Sequence, residues 1–382
     1  MPYRSMRTWT YHRPLEHLIA DYGIANAPTD PADAELVSRI AAAYMKAVQT
    51  DIGVNFWVTV FGPANRPIHD AIMGGGGEPL AQLLRNPAGN MLFYGFETLY
   101  KDAATDEPSR RAYASLIYDA LLALCEAVGA KPLEYPEGYQ LDKDPPPPAA
   151  VESLLSALDQ VFGFSIDFPN PYPEEVGLVT SRGIAGYRAI QSVYQGYRIA
   201  ELARSAPGPV AEIGGGLGRT AYYSTRFGVK DYTIVDIPMS AVAQAYFLGQ
   251  TLGGGAISLY GEPGAPGIKL IPPEAFFVDN RQYGLLVSVD SMPEIQQELV
   301  SRYLASAASR CARFLSINHE TFVPWTVREM ALQHGFESVS RHPNWMRRGY
   351  VEELFEAPRQ TGGNSRSHPR RNLASILQML RR

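Results

Sequence analysis

Apolar residues in this chain recur at two different spacings, on either side of the run Pro145-Pro146-Pro147-Pro148. Upstream the spacing is helical. Pro31 to Thr50 carries Leu36, Ile40, Ala43 and Ala47 on one face, with Asp33 placed to cap its start. Arg110 to Val128 repeats the pattern through Tyr113, Leu116, Ile117, Ala120, Leu121 and Leu124. Strand-like alternation is scarce here, so residues 1–150 read as a mainly helical N-terminal domain. Four prolines in succession continue neither a helix nor a sheet ladder, and predict a stiff connector.

Downstream the pattern changes. Val151 to Val161 reads as a helix, Asp167 to Pro173 as a turn, and Gly183 to Ala203 as a long helix. Short β-type runs follow at Val210 to Ile213, Tyr232 to Val235, Ile257 to Tyr260, Leu285 to Val289 and Phe314 to Ile317. Helical stretches at Thr220 to Phe227, Ser240 to Leu252 and Glu294 to Ala308 lie between them. This alternation predicts an α/β domain over residues 151–358, a mostly parallel sheet with helices on both faces. Residues 359–382 begin polar and end in Leu373 to Leu380, a basic C-terminal tail or short helix. No internal repeat is visible.

Composition narrows the class. A chain of 382 residues suits two domains. A formal charge of −5 lacks the basic footprint of a nucleic-acid binder. Two cysteines, Cys125 and Cys311, make neither a disulfide framework nor a cysteine zinc cage, which fits a reducing compartment. Met1 to Arg13 has no apolar core of signal-peptide type, and no stretch is long and apolar enough to span a bilayer. A cytoplasmic enzyme or small-molecule binder is expected, with no nucleic-acid or membrane partner. A homo-oligomer is left open.

The chemistry concentrates at Glu212-Ile213-Gly214-Gly215-Gly216-Leu217-Gly218. Glycines after a strand and before a helix let a ligand approach the backbone and the helix N-terminus. Gly74 to Gly77 lacks a following Lys-Ser or Lys-Thr, so it reads as a flexible turn instead. Two neighbours of the main motif narrow its ligand. Arg219 stands where a dinucleotide fold prefers Gly or Ala, and Glu212 would repel a pyrophosphate. Glu212 suits an ammonium instead, through a charge-assisted hydrogen bond. S-adenosyl-L-methionine has an ammonium and no phosphate, and its carboxylate suits a helix N-terminus. Asp236 closes the next strand, where an acid holds ribose hydroxyls. The expected cofactor residues are Glu212, Gly214, Gly215, Gly216, Gly218, Asp236, Ile237 and Asp290.

Longer segments carry a resemblance. They are Thr180 to Gln191, Glu212 to Tyr223, Tyr232 to Pro238, Gln244 to Gly249 and Leu259 to Glu262. Asp290 to Glu294, Ser316 to Glu320 and Trp345 to Tyr350 extend the set. Together they resemble the sugar O-methyltransferase family of NanM type, found in polyether antibiotic pathways. The likeness spans roughly residues 151–356. It implies a Rossmann-like class I methyltransferase core, a mostly parallel seven-stranded sheet with an antiparallel last strand. It also implies a sugar or glycosylated natural product as acceptor, in secondary metabolism and antibiotic biosynthesis. Neither follows from composition or spacing.

In such a sheet, ligands bind beyond the carboxyl ends of the strands. Asp290 and Glu294 follow the fourth expected strand; Asn318, His319 and Glu320 follow the fifth. Methyl transfer to a hydroxyl needs an aligned acceptor and a group to take its proton. His319 is the first candidate base, since histidine titrates near neutrality, followed by Asp290 and Glu320. Asp290 also suits a helix cap, before Ser291 and Pro293. Asp290, Glu294 and Glu320 offer oxygens for Mg²⁺, though their spacing demands no metal. Tyr187, Tyr194 and Tyr197 suit either the core or a sugar-facing wall. Arg182, Arg188, Arg347 and Arg348 suit either surface ion pairs or a phosphate of an activated sugar. Methylation of a non-sugar metabolite at O, N or C, and a methyltransferase fold recruited to a non-methylating role, are the competing readings.

Overall fold

A computed structural model describes residues 22–24, 33–49, 62–86, 90–92, 107–133, 149–172, 175–264, 267–321 and 323–358. The proline run 145–148 and the tail 359–382 lie outside these residues.

The first elements are β1 (Tyr22–Ile24), α1 (Ala34–Ala47), α2 (Arg66–Met73), α3 (Gly77–Arg85), α4 (Glu107–Ala127) and α5 (Val151–Phe162). Next come β2 (Val176–Thr180), β3 (Gly183–Ala185) and α6 (Tyr187–Ser205). The central unit follows as β4 (Val210–Ile213), α7 (Arg219–Arg226), β5 (Asp231–Val235), α8 (Pro238–Leu252), β6 (Ile257–Ser258), β7 (Gly267–Ile271) and α9 (Pro273–Val278). It closes with β8 (Tyr283–Val289), α10 (Gln297–Arg310), β9 (Cys311–His319), α11 (Val327–Gln333), β10 (Glu337–Pro343) and β11 (Tyr350–Glu356).

Eight strands form the main sheet, in the order β10-β11-β9-β8-β4-β5-β7-β6. Neighbours from β9 to β6 run parallel, and β11 runs antiparallel to both β9 and β10. β8 is buried along nearly its whole length, as a parallel strand covered on both faces must be. This is a Rossmann-like α/β core, with the antiparallel strand that the resemblance implies. The eighth strand, β6, is only two residues long and pairs at the edge beside β7.

Several expectations need correction. The strand expected at Ile257 to Tyr260 shrinks to β6, and the full third strand is β7, Gly-Ile-Lys-Leu-Ile. The long helix expected from Gly183 starts at Tyr187, because Gly183–Ala185 pairs with β2 as a hairpin. Asp33 sits at the N-cap of α1 but makes no cap bond. Its carboxylate instead accepts from Arg85 and from the Tyr246 hydroxyl at 2.8 Å, tying α1 to α3 and α8. Gly75, Gly76 and Gly77 all have positive φ, as the turn reading of that run requires.

The upstream helices and the sheet share one buried apolar cluster. At its seam α1 lies so close to α8 that a Cβ on Gly249 would stand 2.6 Å from Leu36. Arg39 fastens the same seam, donating to Glu262 at 2.7 and 2.8 Å and to the carbonyls of Gly254 and Ile257. No helix of the described residues is long and apolar enough to cross a membrane.

Candidate active site

The chain leaves β4 for β5 on one side, while β8 pairs on the other. That reversal opens a crevice at the carboxyl ends of β4 and β8, where open α/β sheets take ligands. The glycine loop fills one lip of it. Gly214, Gly216 and Gly218 have φ of 73°, 55° and 92°, the left-handed region glycine favours. At Gly214 no other residue fits, since a Cβ would stand 2.4 Å from that of Ser291. Ser291 in turn donates to the Ile213 carbonyl at 2.5 Å, locking the post-β8 turn onto the end of β4. Asn318 completes the lock through the Ser291 N–H, Ser288 and Ser316.

Two carboxylates flank the loop. Glu212 is 1% exposed, and its one hydrogen bond among the described residues comes from the Tyr232 hydroxyl at 3.0 Å. Burial pushes its pKa up to about 8, and the neighbouring Asp236 charge adds to the rise. Asp236 is partly buried. It accepts the N–H of Gly215 at 3.0 Å, its neighbour Ile237 at 2.8 Å and the Gln244 amide at 2.7 Å. Withdrawal from solvent raises its pKa to about 6 despite these bonds. Gln244 also donates to the Gly216 carbonyl at 3.0 Å, so Asp236 and Gln244 together hold the loop's shape.

A cavity of about 370 Å³ runs along this lip. All the expected cofactor residues except Gly218 line it. Gly218 instead begins α7, just behind. The other end is lined by Arg188, Asp290, His319, Arg347 and Tyr350. Asp290 has φ of 51°, the one non-glycine residue with positive φ among the described residues. Aspartate tolerates that conformation better than most side chains. It does not cap the following turn. Its carboxylate accepts from the Tyr350 hydroxyl at 2.6 Å and from Arg347, with Arg188 3.7 Å away. The His319 Nε2 lies 4.0 Å from it, and the His319 ring meets Tyr350 edge-on at 5.5 Å.

Other residues singled out by the sequence have different surroundings. Glu320 is absent from the cavity lining and is held by Arg341 in a two-pronged pair at 2.7 and 2.8 Å. That pairing lowers its pKa, which suits an ion-pair partner and not a base. Among the described residues no three of His, Cys, Asp and Glu gather where they could hold a metal ion, and of Asp290, Glu294 and Glu320 only the first two line the cavity. Arg182 pairs with Asp159 at 2.6 Å, and Tyr194 donates to buried Glu352 at 2.7 Å. Tyr197 packs into an aromatic cluster with Phe162 and Phe227. Arg219 is 3% exposed and paired with buried Glu175 at 3.1 Å, stacked 4.9 Å over Phe247. It also contributes to the lining of the cavity.

Sequence reasoning passed over Tyr232 and Gln244 as site residues. Both sit on recognised elements, but only their position one strand or two helical turns from an acid would have marked them. Tyr350 was equally unmarked, because its partner Asp290 is sixty residues away in the chain.

No protein-family profile and no curated protein matches the chain. Solved structures do. One is the CcbJ methyltransferase from Streptomyces caelestis, 14% identical with a TM-score of 0.33 over 43% of this chain and 90% of that one. The glycopeptide N-methyltransferase MtfA, complexed with sinefungin, is 15% identical with a TM-score of 0.33 over 44% of this chain and 94% of that one. The magnesium protoporphyrin IX methyltransferase from Synechocystis PCC 6803, with bound SAM, is 13% identical with a TM-score of 0.31 over 44% of this chain and 82% of that one. At such scores the strand order described above remains the ground for the fold.

Proposed function

We propose that this chain is an S-adenosyl-L-methionine-dependent O-methyltransferase acting on a sugar hydroxyl. One observation carries the cofactor reading: the buried Glu212 carboxylate, beside a glycine loop where Gly214 and Gly215 have no room for side chains, meets no cation among the described residues. A buried acid in that position is costly when ionised and unpaired. An ammonium at the cavity end of Glu212 relieves the cost by a charge-assisted hydrogen bond. The donor set therefore fits the amino-acid end of the cofactor. Asp236 opens to the same cavity and suits ribose hydroxyls.

When bound, S-adenosylmethionine supplies a methyl group activated on a sulfonium. The chain's own residues then have three tasks. The glycine loop and the two acids position the cofactor. The far end of the cavity holds the acceptor hydroxyl. His319, whose ring faces Asp290 across 4.0 Å, accepts the hydroxyl proton. Asp290, fixed by Tyr350 and Arg347, faces that ring and helps to orient it.

The acceptor reading rests on the sequence resemblance, and the lining supports it. Arg188, Asp290, His319 and Arg347 make that end polar, with Tyr350 as one aromatic wall. A polar wall of this kind suits a polyhydroxylated ring better than a flat apolar metabolite. Calorimetric titration with S-adenosylmethionine and with its demethylated product tests the cofactor reading, and absence of heat for both at millimolar ligand would end it. Turnover against free and glycosidic sugars tests the acceptor.

A further inference from the structure

Both arginines at the acceptor end address the same acid. Arg347 donates to Asp290, and Arg188 lies 3.7 Å from that carboxylate, beyond hydrogen-bond distance. Arg188 makes no hydrogen bond among the described residues, although its guanidinium carries five donors. Arg347 is held flat, 3.9 Å over the Tyr350 ring, and spends one nitrogen on Asp290. Two other acids of the described lining have partners elsewhere. Glu212 is committed to Tyr232, and Asp236 to the glycine loop. The Asp290 carboxylate thus faces two guanidinium groups, with His319 beside it.

We infer that the acceptor carries an oxyanion near the methylated hydroxyl, a phosphate ester or a carboxylate, gripped by Arg188 and Arg347. The inference rests on the proposed methyltransferase reading and names its substrate class. Three features favour an anion. The guanidinium fork matches phosphate and carboxylate oxygens in pairs. The two arginines come from separate elements, α6 and the link from β10 to β11, so they close on a ligand from two sides. Each keeps about a quarter to a third of its side chain exposed, 31% and 24%, so donors reach the open cavity without leaving Asp290. Both sources, an activated sugar phosphate and an acidic sugar, present this same chemistry.

The test uses the full chain saturated with S-adenosylhomocysteine. Calorimetry measures binding of inorganic pyrophosphate, glucose 1-phosphate, glucuronate and neutral methyl glucoside. At least one anionic probe is expected to bind ten-fold or more tighter than methyl glucoside. Preference for the phosphates identifies a phosphorylated acceptor, and preference for glucuronate an acidic sugar. Arg188→Gln and Arg347→Gln should each weaken the preferred anion ten-fold or more, with S-adenosylhomocysteine binding unchanged within two-fold. Arg188→Lys, which keeps the charge, should lose less than Arg188→Gln and guards against misfolding. Equal binding of all probes, no binding of any anion at 10 mM, or an anion preference that survives both Gln variants overturns the inference. Failure of S-adenosylhomocysteine to bind at all would instead overturn the methyltransferase reading.

Discussion

The Gly215 N–H donates to the Asp236 carboxylate at 3.0 Å, across twenty-one residues of chain. The acid that closes β5 therefore also shapes the loop that follows β4. The cofactor motif is one hydrogen-bonded unit, with Gln244 as its second brace. The unit stands next to Glu212, and both acids hold their protons more tightly than acids in water.

That shift has a direct consequence for stability. Both folded pKa values, about 8 and about 6, lie above the ordinary 4.5 and 3.8. Between those limits the folded state binds more protons than the unfolded state. The contribution is complete below about pH 4 and is lost as pH rises through about 6 and then about 8. Urea unfolding of the unliganded protein from pH 4 to 8 should show wild type losing more stability with rising pH than Glu212→Gln or Asp236→Asn. Superimposable profiles would refute the shifts.

Ligand binding should draw the proton out. At pH 7 Glu212 is largely protonated in the free protein, and an ammonium beside it favours the charged form. Titration of S-adenosylmethionine in buffers of different ionisation enthalpy should therefore show proton release. Glu212→Gln should abolish the release and weaken binding by roughly ten- to a hundred-fold, the worth of a charged hydrogen bond. Proton uptake, or full affinity in the variant, would show that the ammonium lies elsewhere.

Much of this was legible in the sequence, and the limits have physical reasons. β4, β5, β8 and β9 are short apolar runs, so their positions could be read directly. β7 was hidden because Lys269 interrupts a five-residue strand. β10 was hidden because nearly every side chain in it is exposed. β11 was hidden because it buries Glu352 and Glu353, acids paired by Arg198 of α6, Arg328 of α11 and Arg341 of the neighbouring strand β10. The site divides the same way. Glu212 and Asp236 declare themselves by their distance from the glycines. The clustering of Arg188, Asp290, His319 and Tyr350 depends on where four separate elements end.

His319 and Glu320 are adjacent in sequence and different in surroundings, which permits a sharp comparison. His319 lines the cavity, whereas Glu320 is clasped by Arg341 outside it. With a methylated acceptor in hand, His319→Asn should lower kcat by about 10²- to 10⁴-fold, the usual contribution of a positioned base. Glu320→Gln should leave kcat within about three-fold. S-adenosylhomocysteine affinity should be unchanged in both. Equal losses in kcat would remove His319 from its assigned role.

Arg219 offers the last contrast, between a residue in the cofactor motif and one that serves the cofactor. Its guanidinium meets both oxygens of Glu175 at 3.1 Å and the Pro169 carbonyl at 3.3 Å, over the face of Phe247. Glu175 is buried to 1% exposure and also accepts from Asn170, so removing the arginine leaves a buried carboxylate without this cation. Such a break costs about 3–5 kcal/mol. Arg219→Met and Glu175→Gln should each lower unfolding free energy by that order. The double variant should lose clearly less than the sum, because neither charge is left alone. S-adenosylhomocysteine should bind the folded fraction of each variant within about three-fold of wild type. A large loss of affinity with little loss of stability would return Arg219 to the binding site.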